Sequence, residues 1–263
     1  MLGAIAGDII GSVYEGRQSW RTLRRPDFEP LFAADARFTD DTVLTVAVAE
    51  WILTGRDLTD LLKEYGRAYP GAGYGGRFAE WVESDSREGY GSWGNGSAMR
   101  ASPVGFAYGM LDEVLLRARW SAEPTHDHPE GIAGAQATAA AVFLARTGSE
   151  KHEIAEFIER RFGYGLGTSI DEMRPTFGFD VSCRGTVPPA IRAFLEASDY
   201  EEAVRLAVSL GGDADTLACI AGGIAQAKYG VPVDIRAQAL ERLDARLREV
   251  VEAFEARFMP PAP

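Results

Sequence analysis

The sequence predicts an all-α fold on three observations. Apolar residues recur at helical spacing along most of the chain, alternating strand patterns are scarce, and short glycine runs divide the periodic segments. The spacing predicts helices over Leu2 to Tyr14, Asp41 to Leu53, Leu58 to Tyr69, Gly75 to Glu83, Ala98 to Gly105 and Leu111 to Ser121. Further helices are expected over Pro129 to Thr147, Lys151 to Phe162, Val187 to Ala197, Tyr200 to Leu210, Thr216 to Tyr229 and Asp234 to Phe258.

In the first of these, Gly3, Gly7 and Gly11 fall four apart on one face, a spacing that lets another backbone approach closely. The second opens on Thr39, a good N-cap, with Asp40 and Asp41 complementing the helix dipole. Glycines at 71–76, 89–96 and 163–167 separate the later helices. Before the Ala-rich helix at Pro129, Thr125 or Asp127 is the expected cap. Val43 to Trp51 and Leu217 to Ala227 carry few charges around their circumference, which suits helices buried on most sides. The final helix alternates charges and reads as a solvated cover. No Pro- or Ser-rich linker divides the chain, so residues 1–263 are read as one domain.

Size and composition exclude several classes. The chain has 263 residues, enough for a full core, with 46% hydrophobic and 25% charged residues. A formal net charge of -12 argues against nucleic-acid binding through a global basic field, while leaving room for a local anion pocket. Cys183 and Cys219 cannot build a disulfide framework and are expected as free thiols in a reducing cytoplasm. The N-terminus has no basic n-region, and no apolar run approaches the ~20 residues that span a bilayer.

The chemistry concentrates in two distant clusters, Thr39-Asp40-Asp41-Thr42 and Asp213-Ala214-Asp215-Thr216, each at the head of a long apolar stretch. Carboxylates crowded against apolar helices are costly unless something positive sits among them. Helix capping accounts for either cluster alone, yet one cap needs one side chain, and the pattern occurs twice. Hard divalent cations take oxygen donors of this kind, carboxylate and hydroxyl without thiolate. If folding joins the clusters, they make a site for one or two ions.

Other candidates are weaker. Glu15 is either a solvated helix terminus or a carboxylate aimed into a cleft as general base. Gly94-Asn95-Gly96-Ser97-Ala98-Met99-Arg100 is a glycine turn running into a helix, where free amides favour phosphate, with Asn95 and Ser97 as side-chain donors; Arg100 would pair with an acid or with a substrate anion. His126 and His128 lack zinc-ligand spacing and read better as hydrogen-bonding groups near a ligand. No Gly-x-Ser-x-Gly elbow or cysteine–histidine pairing is present, which favours metal-activated water over a covalent nucleophile.

Taken in order, Gly7-Asp8 with Gly11 and Glu15, Thr39 to Thr42, Gly94 to Arg100, His126 to Pro129, and Gly211 to Thr216 resemble the ADP-ribosylglycohydrolases. The resemblance runs from about residue 3 to about residue 230. It implies a compact multi-helix orthogonal bundle and a binuclear centre of Mg²⁺ or Mn²⁺. It also implies hydrolysis of ADP-ribose from a modified acceptor by attack of water at the anomeric carbon of the distal ribose. By that likeness Thr39, Asp40, Asp41, Asp213, Asp215 and Thr216 match metal ligands, and Glu15, Asp40, Asp41 and Asp215 the catalytic set. Gly94, Asn95, Gly96, Ser97, Met99 and His128 match ADP-ribose contacts. Arginine-linked ADP-ribose is the first expectation; serine-, nucleic-acid- and small-molecule-linked forms stay open. So do a nucleotide phosphohydrolase, a non-enzymatic relative, and a binding protein that neutralises a cognate ADP-ribosyltransferase.

Overall fold

The structure, a computed structural model, describes residues 1–16 and 28–259. Helices run α1 (Leu2–Gly11), α2 (Asp40–Thr54), α3 (Leu58–Ala68), α4 (Gly76–Glu83), α5 (Gly96–Met99), α6 (Ser102–Ala107), α7 (Leu111–Ala122) and α8 (Pro129–Arg146). They continue as α9 (Lys151–Phe162), α10 (Ile170–Met173), α11 (Cys183–Glu196), α12 (Tyr200–Ser209), α13 (Ala214–Tyr229), α14 (Val233–Glu241) and α15 (Ala245–Phe258). The fold is all-α; the described residues contain no strand, only one isolated bridge between Gly94 and Ser182. No helix among them is long and apolar enough to cross a membrane.

The centre is α13, buried continuously from Ala214 to Gln226, against which α1 lies along its whole length. The glycine stripe sets this approach. A Cβ on Gly7 would stand 2.1 Å from the Ala218 carbonyl oxygen, one on Gly3 2.6 Å from that of Gly222, and one on Gly11 2.5 Å from the Asp215 Cα. No side chain fits those gaps, so the two backbones meet directly and the end of α1 is brought beside the start of α13. The start of α2 arrives at the same place. Thr39, in extended conformation, accepts from the Asp41 amide, and the helix stops at Gly55, whose φ of 71° needs glycine.

α10 lies outside the expected helices, and four boundaries differ from the expected ones by more than two residues. The first helix ends at Gly11, and residues 12–16 form turns. The segment expected as Ala98 to Gly105 is two short helices, because Arg100 leaves helical geometry and Pro103, in the first turn of α6, has no amide to donate. The long terminal helix is broken between α14 and α15, where Asp244 turns extended and accepts from the Leu247 amide at 3.0 Å. α11 starts at Cys183 rather than Val187, capped by Ser182, and carries Pro188 and Pro189 inside it.

Candidate active site

Asp8 is the hidden organiser of the acidic region. It is fully buried, and its two oxygens accept from the Thr39 amide (3.0 Å), the Thr39 hydroxyl (2.6 Å), the Thr42 amide (3.1 Å) and the Thr42 hydroxyl. The carboxylate on α1 therefore clamps the first turn of α2 onto the helix pair α1–α13. Burial pushes its pKa up to about 6, against the opposing effect of those four donors.

The two acidic clusters, far apart in sequence, meet here. Thr216 donates its hydroxyl to Asp41 Oδ2 at 3.2 Å, which ties the start of α13 to the start of α2. Asp8, Asp41 and Asp215 each bring one oxygen within 4.8 Å of the others, and Glu15, Asp213 and Asp215 do the same alongside. Burial, then the charges of Asp8 and Asp213, raise Asp40 to about 8. Asp41 and Asp215 are driven well above the ordinary carboxylate range by burial, then by Asp215 on the first and Asp213 on the second. Burial also raises Asp213, although Asn95 Nδ2 donates to its Oδ2 at 2.6 Å. Glu15, exposed at the cleft edge, is raised by partial desolvation and by Asp213, with Arg37 opposing.

These acids are a poor fit to an internal counter-charge and a good fit to an external one. Asp41 Oδ1 is buried and has no hydrogen-bond partner among the described residues. An orphaned buried carboxylate oxygen in a set of like charges is a costly arrangement that a bound cation relieves. The donor set around it is carboxylate and hydroxyl oxygen, the chemistry of hard divalent ions.

A cleft of about 500 Å³ runs from these acids to the glycine loop. Gly94, Asn95, Gly96 and Met99 line it, and so do Glu15, Thr39, Asp40, Asp41, Asp213, Asp215 and Thr216. Ser97 and His128 do not line it. Ser97 is fully buried and donates its hydroxyl to the Gly131 carbonyl at 2.7 Å, so its side chain is spent on α8. His128 Nδ1 accepts from the Glu130 amide at 3.1 Å and caps α8 itself, the task expected of Thr125 or Asp127. The histidine in the cleft wall is His126. The side chain of Asn95 serves Asp213 and Thr186, orienting an acid instead of reaching for phosphate. Arg100 pairs with no acid among the described residues; it donates to the Ser121 carbonyl and to Thr125 Oγ1, both at 2.8 Å.

Several lining groups carry little or no signal in the sequence. Trp93 and Phe179 stand at the mouth with 51% and 57% of their surface exposed, rare for rings of that size and suited to stacking on a planar ligand. Tyr90 and Arg77 form a stacked pair, the guanidinium carbon 4.9 Å from the ring centre. Tyr90 and Trp93 were findable, as aromatics inside a glycine run; Phe179 carries no local signal.

The comparisons agree with this architecture. The family model described as ADP-ribosylglycohydrolase matches residues 1–262. The chain is 28% identical to "ADP-ribosylhydrolase ARH3" of Bos taurus, over 88% of this chain and 84% of that protein. It is 26% identical to "ADP-ribosylarginine hydrolase Tri1" of Pseudomonas putida (strain GB-1), over 88% of this chain and 70% of that one. A solved structure titled "ADP-ribosylglycohydrolase-related protein complex" superposes with a TM-score of 0.69 at 27% identity, covering 98% of this chain and 97% of its own. The chain belongs to the ADP-ribosylglycohydrolase family, enzymes that hydrolyse glycosidic bonds of ADP-ribose.

Proposed function

We propose that this enzyme is a metal-dependent hydrolase that releases ADP-ribose from a modified acceptor, with arginine-linked ADP-ribose as the preferred substrate. The observation that carries the reading is the meeting of the two acidic clusters at one end of a cleft whose other end is a glycine loop. Thr39, Asp40, Asp41, Asp213, Asp215 and Thr216 would hold two divalent cations, Mg²⁺ or Mn²⁺. When bound, such ions neutralise the crowded carboxylates, grip ribose hydroxyls and lower the pKa of water.

The protein's own groups do the rest. The reacting bond joins the anomeric carbon of the distal ribose to the acceptor, and its transition state has oxocarbenium character. Glu15 borders Asp213 and Asp215 yet stays open to solvent, a position from which its raised carboxyl takes a proton from the attacking water. The backbone amides of Gly96 and Ser97 open α5 with no acceptor among the described residues, and suit the diphosphate. Trp93 and Phe179 offer faces for the adenine. Holding the nucleotide this far from the reacting carbon turns remote binding energy into alignment.

Six carboxylates outnumber the four positive charges of two divalent ions, so the cleft would keep a negative excess that favours a cationic acceptor, and the guanidinium of arginine keeps its charge at any working pH. The Pseudomonas relative, named as an ADP-ribosylarginine hydrolase, supports the same choice. We further read residues 1–263 as one domain, supported by a site assembled from α1, α2 and α13, and the location as cytoplasmic, supported by two free buried cysteines. The test is incubation with arginine-, serine- and nucleic-acid-linked ADP-ribose, with and without chelator. Release of free ADP-ribose from the arginine-linked form, lost on chelation, is expected. Failure to release it from any of them, or release of inorganic phosphate instead, overturns the reading.

A further inference from the structure

We propose that Arg100 and Thr125 are positioning residues that act through His126. They hold its imidazole as the neutral Nε2–H tautomer, so that Nε2 donates a hydrogen bond to an anionic oxygen of a bound nucleoside diphosphate. The inference rests on reading the cleft as an ADP-ribose site, and it deepens that reading by assigning a proton to a named atom.

The assignment is one of donors and acceptors. Thr125 is fully buried, with its amide donating to the Ala122 carbonyl and its own carbonyl accepting from the Ser92 amide, so its hydroxyl is fixed in place. Arg100 is also fully buried, and its Nη2 lies 2.8 Å from Thr125 Oγ1. A guanidinium has only donors, so the threonine oxygen must accept there. The same oxygen stands 2.7 Å from His126 Nδ1. The hydroxyl has one hydrogen and no other acceptor among the described residues. If Nδ1 carried a proton, two donors would converge on the one oxygen and the hydroxyl hydrogen would be left buried and unpaired. The hydrogen therefore points to the Nδ1 lone pair, and the ring proton belongs on Nε2.

The surroundings keep the ring neutral. Burial, then the nearby charges of Arg100 and Arg77, push the His126 pKa well below its ordinary value. The Nε2 edge lies under the glycine loop. A Cβ on Gly96 would come 3.2 Å from Nε2, and one on Gly94 3.8 Å from it. The two glycines leave that edge uncovered where the loop meets the cleft, and Nε2 has no hydrogen-bond partner among the described residues. Arg100 keeps two buried nitrogens, Nε and Nη1, without partners among the described residues, so a cation that none of them neutralises lies behind the loop. A neutral donor in front of a buried cation is suited to an anion that must be held and then released.

The experiment uses the full chain labelled with ¹⁵N-histidine. It contains three histidines, and H128N and H152N variants assign the remaining signal to His126. The expected spectrum has a pyridine-like Nδ1 and a pyrrole-like Nε2, and ADP-ribose shifts Nε2. In Thr125→Val the two nitrogens move toward averaged values, and KM for the ADP-ribosylated substrate rises about tenfold at nearly unchanged kcat, the loss of one hydrogen bond's worth of binding. Thr125→Ser restores both. A wild-type spectrum with the proton on Nδ1, or an Nε2 signal blind to ADP-ribose, overturns the inference whatever the activity. An intact Nε2–H spectrum in an enzyme that releases no ADP-ribose overturns the proposed function instead.

Discussion

The two walls of the cleft solve opposite electrostatic problems. On the α1–α2–α13 wall, five buried or half-buried aspartates and Glu15 crowd together, and the pKa of each is raised. On the loop wall a buried guanidinium, Arg100, has no acid against it among the described residues, and the neutral His126 stands in front. Each wall carries charge that the protein does not balance internally. A fold that only needed stability would pair such groups or omit them. The imbalance instead matches ligands that bring their own charge: cations at the acidic end and a diphosphate at the loop end.

Either wall can be perturbed by substitution, and the largest effect is expected at the acidic one. Asp40→Ala or Asp215→Ala should lower kcat/KM by at least about 100-fold while circular dichroism stays that of a folded protein, since loss of even a group that only orients a metal ligand costs about 10–100-fold in metal affinity or activity. Retained metal-dependent turnover in both variants would show that the acids are not the site. Gly7→Ala attacks the same wall indirectly. A Cβ 2.1 Å from the Ala218 oxygen forces α1 off α13, which should cost about 1–3 kcal/mol and lower Tm in a thermal melt. Metal affinity should weaken with it, because Asp8 moves away from Thr39 and Thr42.

The loop wall should respond more gently. In Gly96→Ala the added methyl would press on His126 at 3.2 Å, and KM should rise about tenfold with kcat near wild type in steady-state assays. A pH slope is expected as well. An aspartate whose folded pKa lies above its unfolded value of 3.8 binds protons more readily when folded, so its contribution falls as pH rises. With Asp8 at about 6 and Asp40 at about 8, the cation-free protein should lose stability between about pH 4 and 8. Millimolar Mg²⁺ should flatten that slope; melts across the range without Mg²⁺ that show no slope would mean the acids are already compensated.

Much of this architecture was readable along the chain, because its signals are local. Periodicity marked most of the helices, Thr39 read as a cap, and the doubled Asp–Thr pattern pointed to the acidic wall before any contact was known. What stayed hidden depends on long-range contact. Asp8 looks like a lone acid in an apolar helix until the glycine stripe sets α1 against α13 and presents it to Thr39. The choice between His126 and His128 turns on which one caps α8, a fact of side-chain direction and not of spacing. Ser97 has the right residue type at the right place, but its hydroxyl faces Gly131. Phe179 reaches the cleft from an irregular stretch before α11 and leaves no pattern at all.

The central claim is that distant acidic clusters act as one cation site. Equilibrium dialysis of the wild-type chain against Mn²⁺, beside Asp41→Asn and Asp215→Asn, tests it most directly, because each variant damages a different cluster. The account predicts two ions per wild-type chain and a loss of binding in both variants. Wild-type protein that takes up no Mn²⁺, or variants that bind as many ions as wild type, would contradict it.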